Sequence, residues 1–125
     1  LKGGTTFALS GELGSGKTTF IQGLAEGLGV RDRIISPTFI LVRKYQSEKP
    51  LNFYHVDLYR LEGDLGYEMD NLGLTDFMKD KDSIVAIEWA EKAREYLPEN
   101  TVWIKFDVLG DNRRRIVVNR IENYE

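Results

Sequence analysis

Thr6-Phe7-Ala8-Leu9-Ser10 runs directly into Gly11-Glu12-Leu13-Gly14-Ser15-Gly16-Lys17-Thr18, and an amphipathic stretch follows. The octapeptide fits G-x-x-x-x-G-K-[ST], the loop that wraps a polyphosphate. Its glycines, Gly11, Gly14 and Gly16, permit backbone angles and a close approach that a Cβ would block, so consecutive N–H groups can turn inward around an anion. Lys17 can reach the β- and γ-phosphates as a point charge, and the Thr18 hydroxyl can ligate a bridging Mg²⁺. The apolar run before the motif reads as a strand over Thr6 to Leu9. After it, Phe20, Ile21, Leu24, Ala25 and Leu28 recur as one face of a helix starting near Lys17. That helix adds its own unpaired N–H groups and positive dipole end. Gly29 stands where its C-terminus calls for a positive φ.

Working outward, the 125 residues with 42% hydrophobic content predict one domain with one core. No stretch is apolar for long enough to span a bilayer as a helix, and the start is not a signal peptide. The chain contains no cysteine, which excludes disulfides, thiol chemistry and a Cys-based metal site. A reducing cytoplasm is the expected compartment. A net charge of −3 argues against a broad nucleic-acid-binding surface. Arg113-Arg114-Arg115 is a local exception, read as a solvated hairpin end.

Downstream, Pro37 biases Ser36 toward an extended conformation. Phe39 to Val42 reads as a strand fading into polar residues up to Pro50, and Leu51 to Val56 reads as its antiparallel partner. Leu58, Leu61, Leu65, Met69, Leu72 and Phe77 suggest short helices broken at Gly63, Gly66 and Gly73. Ser83 to Ile87 is a continuous apolar run of the kind found in a buried central strand. A short helix over Glu91 to Tyr96 closes at Leu97-Pro98. Val102, Ile104, Phe106 and Val108 alternate onto one face of a strand that turns at Gly110-Asp111-Asn112 and returns over Arg115 to Asn119. The expected fold is α/β and P-loop NTPase-like: a mostly parallel central sheet with antiparallel strands and a C-terminal hairpin, its ligand at the strands' C-terminal ends.

A P-loop needs a further acid at the end of an apolar strand to hold Mg²⁺. Glu88, after Ile84 to Ile87, has the purer apolar lead and is assigned to the metal with Thr18. Asp57, after Phe53 to Val56, is assigned to orienting water or to the metal's outer shell. Thr38 lies in the loop where such enzymes sense a γ-phosphate. His55, the only histidine, stands beside a strand's inner acid and can touch the site, but a packed or solvent-facing strand histidine is the expected reading. Asp70-Asn71-Leu72-Gly73 imitates a GTPase motif, but it follows no apolar strand and no Asn-Lys-x-Asp appears to read guanine.

Gly11 to Thr19, Ser36-Pro37-Thr38, His55-Val56-Asp57-Leu58-Tyr59-Arg60 and Ile87-Glu88-Trp89 occur in an order and spacing that resemble the TsaE family, over nearly the whole chain. Those are small bacterial ATPases required for threonylcarbamoyladenosine formation on tRNA. The resemblance implies binding and slow hydrolysis of ATP with Mg²⁺. It also implies work alongside the TsaD and TsaB proteins, whose complex modifies the adenosine beside the anticodon, so that tRNA is met indirectly. Carried over by position, Leu13, Gly14, Ser15, Gly16, Lys17, Thr18 and Thr19 match the phosphate-binding segment. Thr18 and Glu88 match the Mg²⁺ ligands, Lys17 and Asp57 the catalytic charges, Thr38 the switch-like loop and Trp89 the tryptophan beside the acid. The family usually carries a helix before the first strand that contributes to the adenine pocket, and that helix is expected to be missing from these residues. Ala90 stands where a proline is common, and Glu12 and Ser15 replace a frequent Asp and Ala.

Two other functions fit the motif. A small-molecule kinase would need a lid with several arginines, and none occurs between residues 61 and 93. A non-catalytic ATP-gated assembly subunit would bind without hydrolysing.

Overall fold

The computed structural model describes residues 4–11, 16–30, 42–47, 51–59, 63–110 and 113–120, with the side chains of residues 65 and 120 left out. In chain order the elements are β1 (Thr5–Gly11), α1 (Lys17–Gly27), β2 (Val42–Gln46), β3 (Asn52–Asp57), α2 (Leu65–Asn71), α3 (Leu74–Lys79), β4 (Ser83–Glu88), a 3₁₀ segment (Ala90–Tyr96), β5 (Val102–Gly110) and β6 (Arg113–Arg120). Among the described residues, six strands form one sheet in the order β2-β3-β4-β1-β5-β6. The inner four run parallel, and β2 and β6 are antiparallel additions at the two edges.

β4 is buried along its whole length, as a continuous apolar run in a two-sided sheet must be. Alternation along β1 sends Phe7 and Leu9 to one face and Ala8 to the other. α1 covers the first face through Ile21, Ala25 and Leu28, together with Phe53, Ile84, Ile104 and Phe106. Its docking is fixed by Phe20, whose ring meets Phe7 and Phe106 edge-on at 6.2 and 5.8 Å. α2, α3 and the 3₁₀ segment cover the second face through Met69, Leu74, Met78, Ala90 and Ala93. Fully burying a side chain such as Phe53 or Phe106 contributes about 1.5–3 kcal/mol each. As expected for a helix C-terminus, Gly29 has φ +81°.

Several boundaries differ from the sequence expectation. The apolar residues 39–41 lie outside the described residues, and the strand described there is the polar stretch Val42–Gln46. Among the described residues β2 is an edge strand of the sheet: Tyr45 packs inward while Lys44 and Gln46 face water, as an edge strand tolerates. Gly66 does not break a helix but sits in the first turn of α2. There an added Cβ would come within 2.9 Å of the ring of Tyr96, an exposed side chain that would have to shift. The helix expected over 91–96 is a 3₁₀ segment with a non-helical residue at Ala93 (φ −123°, ψ 25°). Val108 is 38% exposed, because β5 has by then run past the helices that cover Val102, Ile104 and Phe106. The return strand is longer than expected, pairing from Arg113 to Arg120, and residues 111–112 of the turn lie outside the described set.

Candidate functional site

The parallel strands end together at one edge of the sheet, and the chemical residues named from sequence gather there. In the parallel ladders Asp57 stands beside Glu88, and Glu88 beside Leu9, two residues before Gly11. Period-two alternation puts His55, Asp57, Glu88 and Gly11 on the α1 side of the sheet, with Phe53, Ala86 and Leu9.

From Gly11 the chain passes through residues 12–15, outside the described set, and re-emerges at Gly16. Gly16 is the N-cap of α1 at φ +108°, a conformation that an L side chain rarely adopts. Among the described residues no side chain caps this helix, and no acid sits in its first turn. Its first N–H groups and positive dipole end are therefore uncompensated by the helix's own residues. Thr18 and Thr19, in that first turn, are exposed.

Lys17 points the other way, into the protein, and is only 4% exposed. Its Nζ donates to the Gly11 carbonyl at 2.7 Å and lies 4.4 Å from the centre of the Trp89 ring. A buried ammonium needs such partners, and a carbonyl oxygen with an aromatic face supplies two of them. Trp89 itself has φ 59° and ψ 35°, alone among the described non-glycine residues in having a positive φ. For so bulky a residue this is strained, and the strain lies beside the lysine. The exposed Tyr59 ring packs on the indole at 5.0 Å.

Both acids are held. Asp57 Oδ1 accepts from the Tyr59 amide at 2.8 Å, closing the turn after β3. Glu88 is 6% exposed, and its Oε2 is 2.7 Å from His55 Nε2. The histidine is fully buried, as a packed strand residue is, and it also reaches the acid, the less expected of the two readings. The sequence signal was its spacing: His55 and Asp57 are two apart on one strand and so share a face. The contacts of Trp89 and Tyr59 had no such signal, because they depend on a turn conformation. Thr38, Leu13, Gly14 and Ser15 lie outside the described residues.

Burial raises the Asp57 carboxyl above its usual value, and the Glu88 charge adds to this. The Tyr59 amide, His55 and Lys17 act in the opposite direction without overcoming it. A carboxyl raised on folding binds its proton more tightly in the native state. Stability is thus lost as the pH rises from the unfolded value of 3.8 through the raised one. Asp57→Asn keeps an oxygen for the Tyr59 amide and removes the costly charge. It is expected to melt at a higher temperature than the parent at pH 7, with the difference shrinking as the pH is lowered toward 4. Thermal melts across that range check it, and a D57N protein less stable at neutral pH would contradict it.

Among the described residues no three His, Cys, Asp or Glu cluster as a metal cage, and no helix is long and apolar enough to cross a membrane. Two adjacent carboxylates beside a threonine-bearing helix start suit instead a hard cation that takes one or two protein oxygens and fills its shell with phosphate and water.

A family model described as "Threonylcarbamoyl adenosine biosynthesis protein TsaE" matches residues 1–116. The "tRNA threonylcarbamoyladenosine biosynthesis protein TsaE" of Bacillus subtilis is 37% identical over 122 residues, spanning 98% of this chain and 73% of the relative. The protein of the same description from Streptomyces coelicolor is 44% identical over 115 residues, spanning 89% and 74%. Among solved structures, that of Bacillus YdiB is similar with a TM-score of 0.76 and 33% identity, covering 98% of this chain and 72% of that one.

Proposed function

The chain belongs to the TsaE family, and on that premise we propose that it is the Mg²⁺-dependent ATP-binding and ATP-hydrolysing subunit of the tRNA threonylcarbamoyladenosine machinery, acting in the cytoplasm with the TsaD and TsaB proteins. One observation carries the reading. The buried Lys17 ammonium lies beside an uncapped helix start, on the same sheet edge as the Asp57 and Glu88 carboxylates. Cation, helix-start N–H groups and paired acids together are what a phosphoanhydride and its metal require.

In this reading Lys17 gives up the Gly11 carbonyl and the Trp89 face to bind the β- and γ-phosphates. The carbonyl and the indole are both neutral, so a phosphate competes for the ammonium with partners weaker than an anion. Gly16, Thr18 and Thr19 contribute N–H groups at the helix start, and residues 13–15 complete the cradle. Thr18 and Glu88 hold Mg²⁺, whose chemistry when bound is to neutralise charge on the phosphate oxygens. Asp57 orients the attacking water, and Thr38 is assigned to sensing the γ-phosphate. Catalysis is electrostatic positioning with water as acceptor, so turnover by the chain alone is slow.

Phosphate release from Mg²⁺-ATP, by the chain alone and with TsaD and TsaB, tests this. Slow release that rises with the partners is the expected result. Phosphate found on a metabolite would point to a kinase. ATP-dependent assembly with no release would leave a nucleotide-gated subunit.

A further inference from the structure

Sequence reading left His55 without a task, yet its ring is completely buried against an acid at the candidate site. Among the described residues only Thr6 Oγ1 and His55 Nδ1 are buried side-chain atoms without a hydrogen-bond partner. That orphan fixes the chemistry of the pair. A ring protonated only at Nδ1 would strand that N–H in the core and set the Nε2 lone pair against a carboxylate oxygen. That arrangement leaves a buried donor unpaired and two acceptors facing each other, which is costly. Nε2 therefore carries a proton, and Nε2–H donates to Glu88 Oε2.

We propose that His55 is a positioning residue: from inside the core it holds Glu88 Oε2 and so commits the carboxylate to one orientation, with Oε1 as the oxygen offered to a divalent cation. The inference rests on the assignment of Glu88 to the metal made above. Three further observations support it. Glu88 Oε1 has no hydrogen-bond partner among the described residues, and the side chain as a whole keeps 7% of its exposure. Ala86 stands beside His55 in the β3–β4 ladder, and its methyl leaves the imidazole room to lean toward Glu88, two residues on. Both residues are on inner parallel strands, so the pair is anchored by two ladders. A partner behind a ligating side chain fixes its orientation, and loss of such partners weakens metal binding.

The test separates reach from burial. H55Q and H55N each bury one amide, but only the longer glutamine can place its N–H near the Nε2 position. Mn²⁺ is used as the probe, with a non-hydrolysable ATP analogue, and free Mn²⁺ is read by electron paramagnetic resonance below each variant's melting temperature. H55N is expected to bind Mn²⁺ about 10- to 100-fold more weakly than the parent, and H55Q within about threefold of it. Binding of the analogue without metal should be unchanged in both. A histidine that only fills space would lower the two melting temperatures and move neither metal affinity. Should H55N not fold, H55F supplies a ring of similar shape without the donor. Equal Mn²⁺ affinity in the parent, H55Q and the donor-less variant overturns the positioning role and leaves the proposed function standing. A parent chain that binds the analogue but no Mn²⁺ removes the metal assignment itself, and this inference with it.

Discussion

Lys17→Ala is expected to lower Mg²⁺-ATP turnover by at least about 100-fold, the loss typical when one preorganised charge or donor is taken from a phosphoryl site. ATP binding should fall in parallel, since a charge-assisted bond to phosphate contributes about 1.5–3 kcal/mol, or roughly 10- to 150-fold in affinity. The fold should survive. Lys17 occupies the first turn of α1, where alanine is the best helix former, and the helix is anchored by Ile21, Ala25 and Leu28 rather than by the lysine. The substitution also empties the space between the Gly11 carbonyl and the Trp89 ring, so a modest drop in melting temperature is expected. Lys17→Arg tests shape as well as charge: a planar guanidinium in a slot that admits an ammonium at 2.7 Å from one carbonyl should not restore turnover. Phosphate release and calorimetric titration, with circular dichroism as the folding control, check each step. Unimpaired turnover in K17A would end the phosphate-loop reading of this chain.

The parts of this fold that were legible in the sequence are those where one physical rule acts alone. Ser83 to Ile87 could only be a strand buried on both faces, and it is. The spacing of Phe20, Ile21, Leu24, Ala25 and Leu28 gave the buried side of α1 because the same residues pack on β1 and β5. Errors arose where two rules compete. Arg43, Lys44 and Gln46 look like a loop by polarity, but an edge strand tolerates them because only Tyr45 must face the core. Gly66 looks like a helix break by propensity, but it sits in a first turn that the Asp64 side chain caps through the Tyr67 amide.

At the site, the acids were found because each ends an apolar run. Their neighbours depend on register, and register between distant strands is not written in linear spacing. That His55 would reach Glu88 follows only once β3 and β4 are set side by side with Asp57 opposite Glu88. The contact between Lys17 and Trp89 is further from view, since it depends on a left-handed tryptophan that local propensity disfavours.

Glu88→Gln is expected to raise the Mg²⁺ concentration needed for half-maximal turnover by on the order of 100-fold, since a unit charge beside a cation near a protein surface is worth a few kcal/mol. The substitution is isosteric at a residue 6% exposed, so packing is preserved and the effect is electrical. Orientation then works against the amide. If its oxygen stays toward His55, its NH₂ takes the position of Oε1 and meets the cation with a donor. If it flips, its NH₂ meets the Nε2 proton of the histidine. The ring could accept at Nε2 only by moving its proton to Nδ1, which has no partner in the core. Every arrangement leaves one group wrongly paired. ATP binding in the absence of metal should remain near that of the parent, because Lys17 and the helix start are untouched. This separates E88Q from K17A, in which metal-free binding is lost. A Mg²⁺ titration of phosphate release, run beside metal-free ATP binding, distinguishes the two. An E88Q chain with an unshifted Mg²⁺ dependence would take the metal away from Glu88 and leave Asp57, its neighbour across the ladder, as the acid to test next.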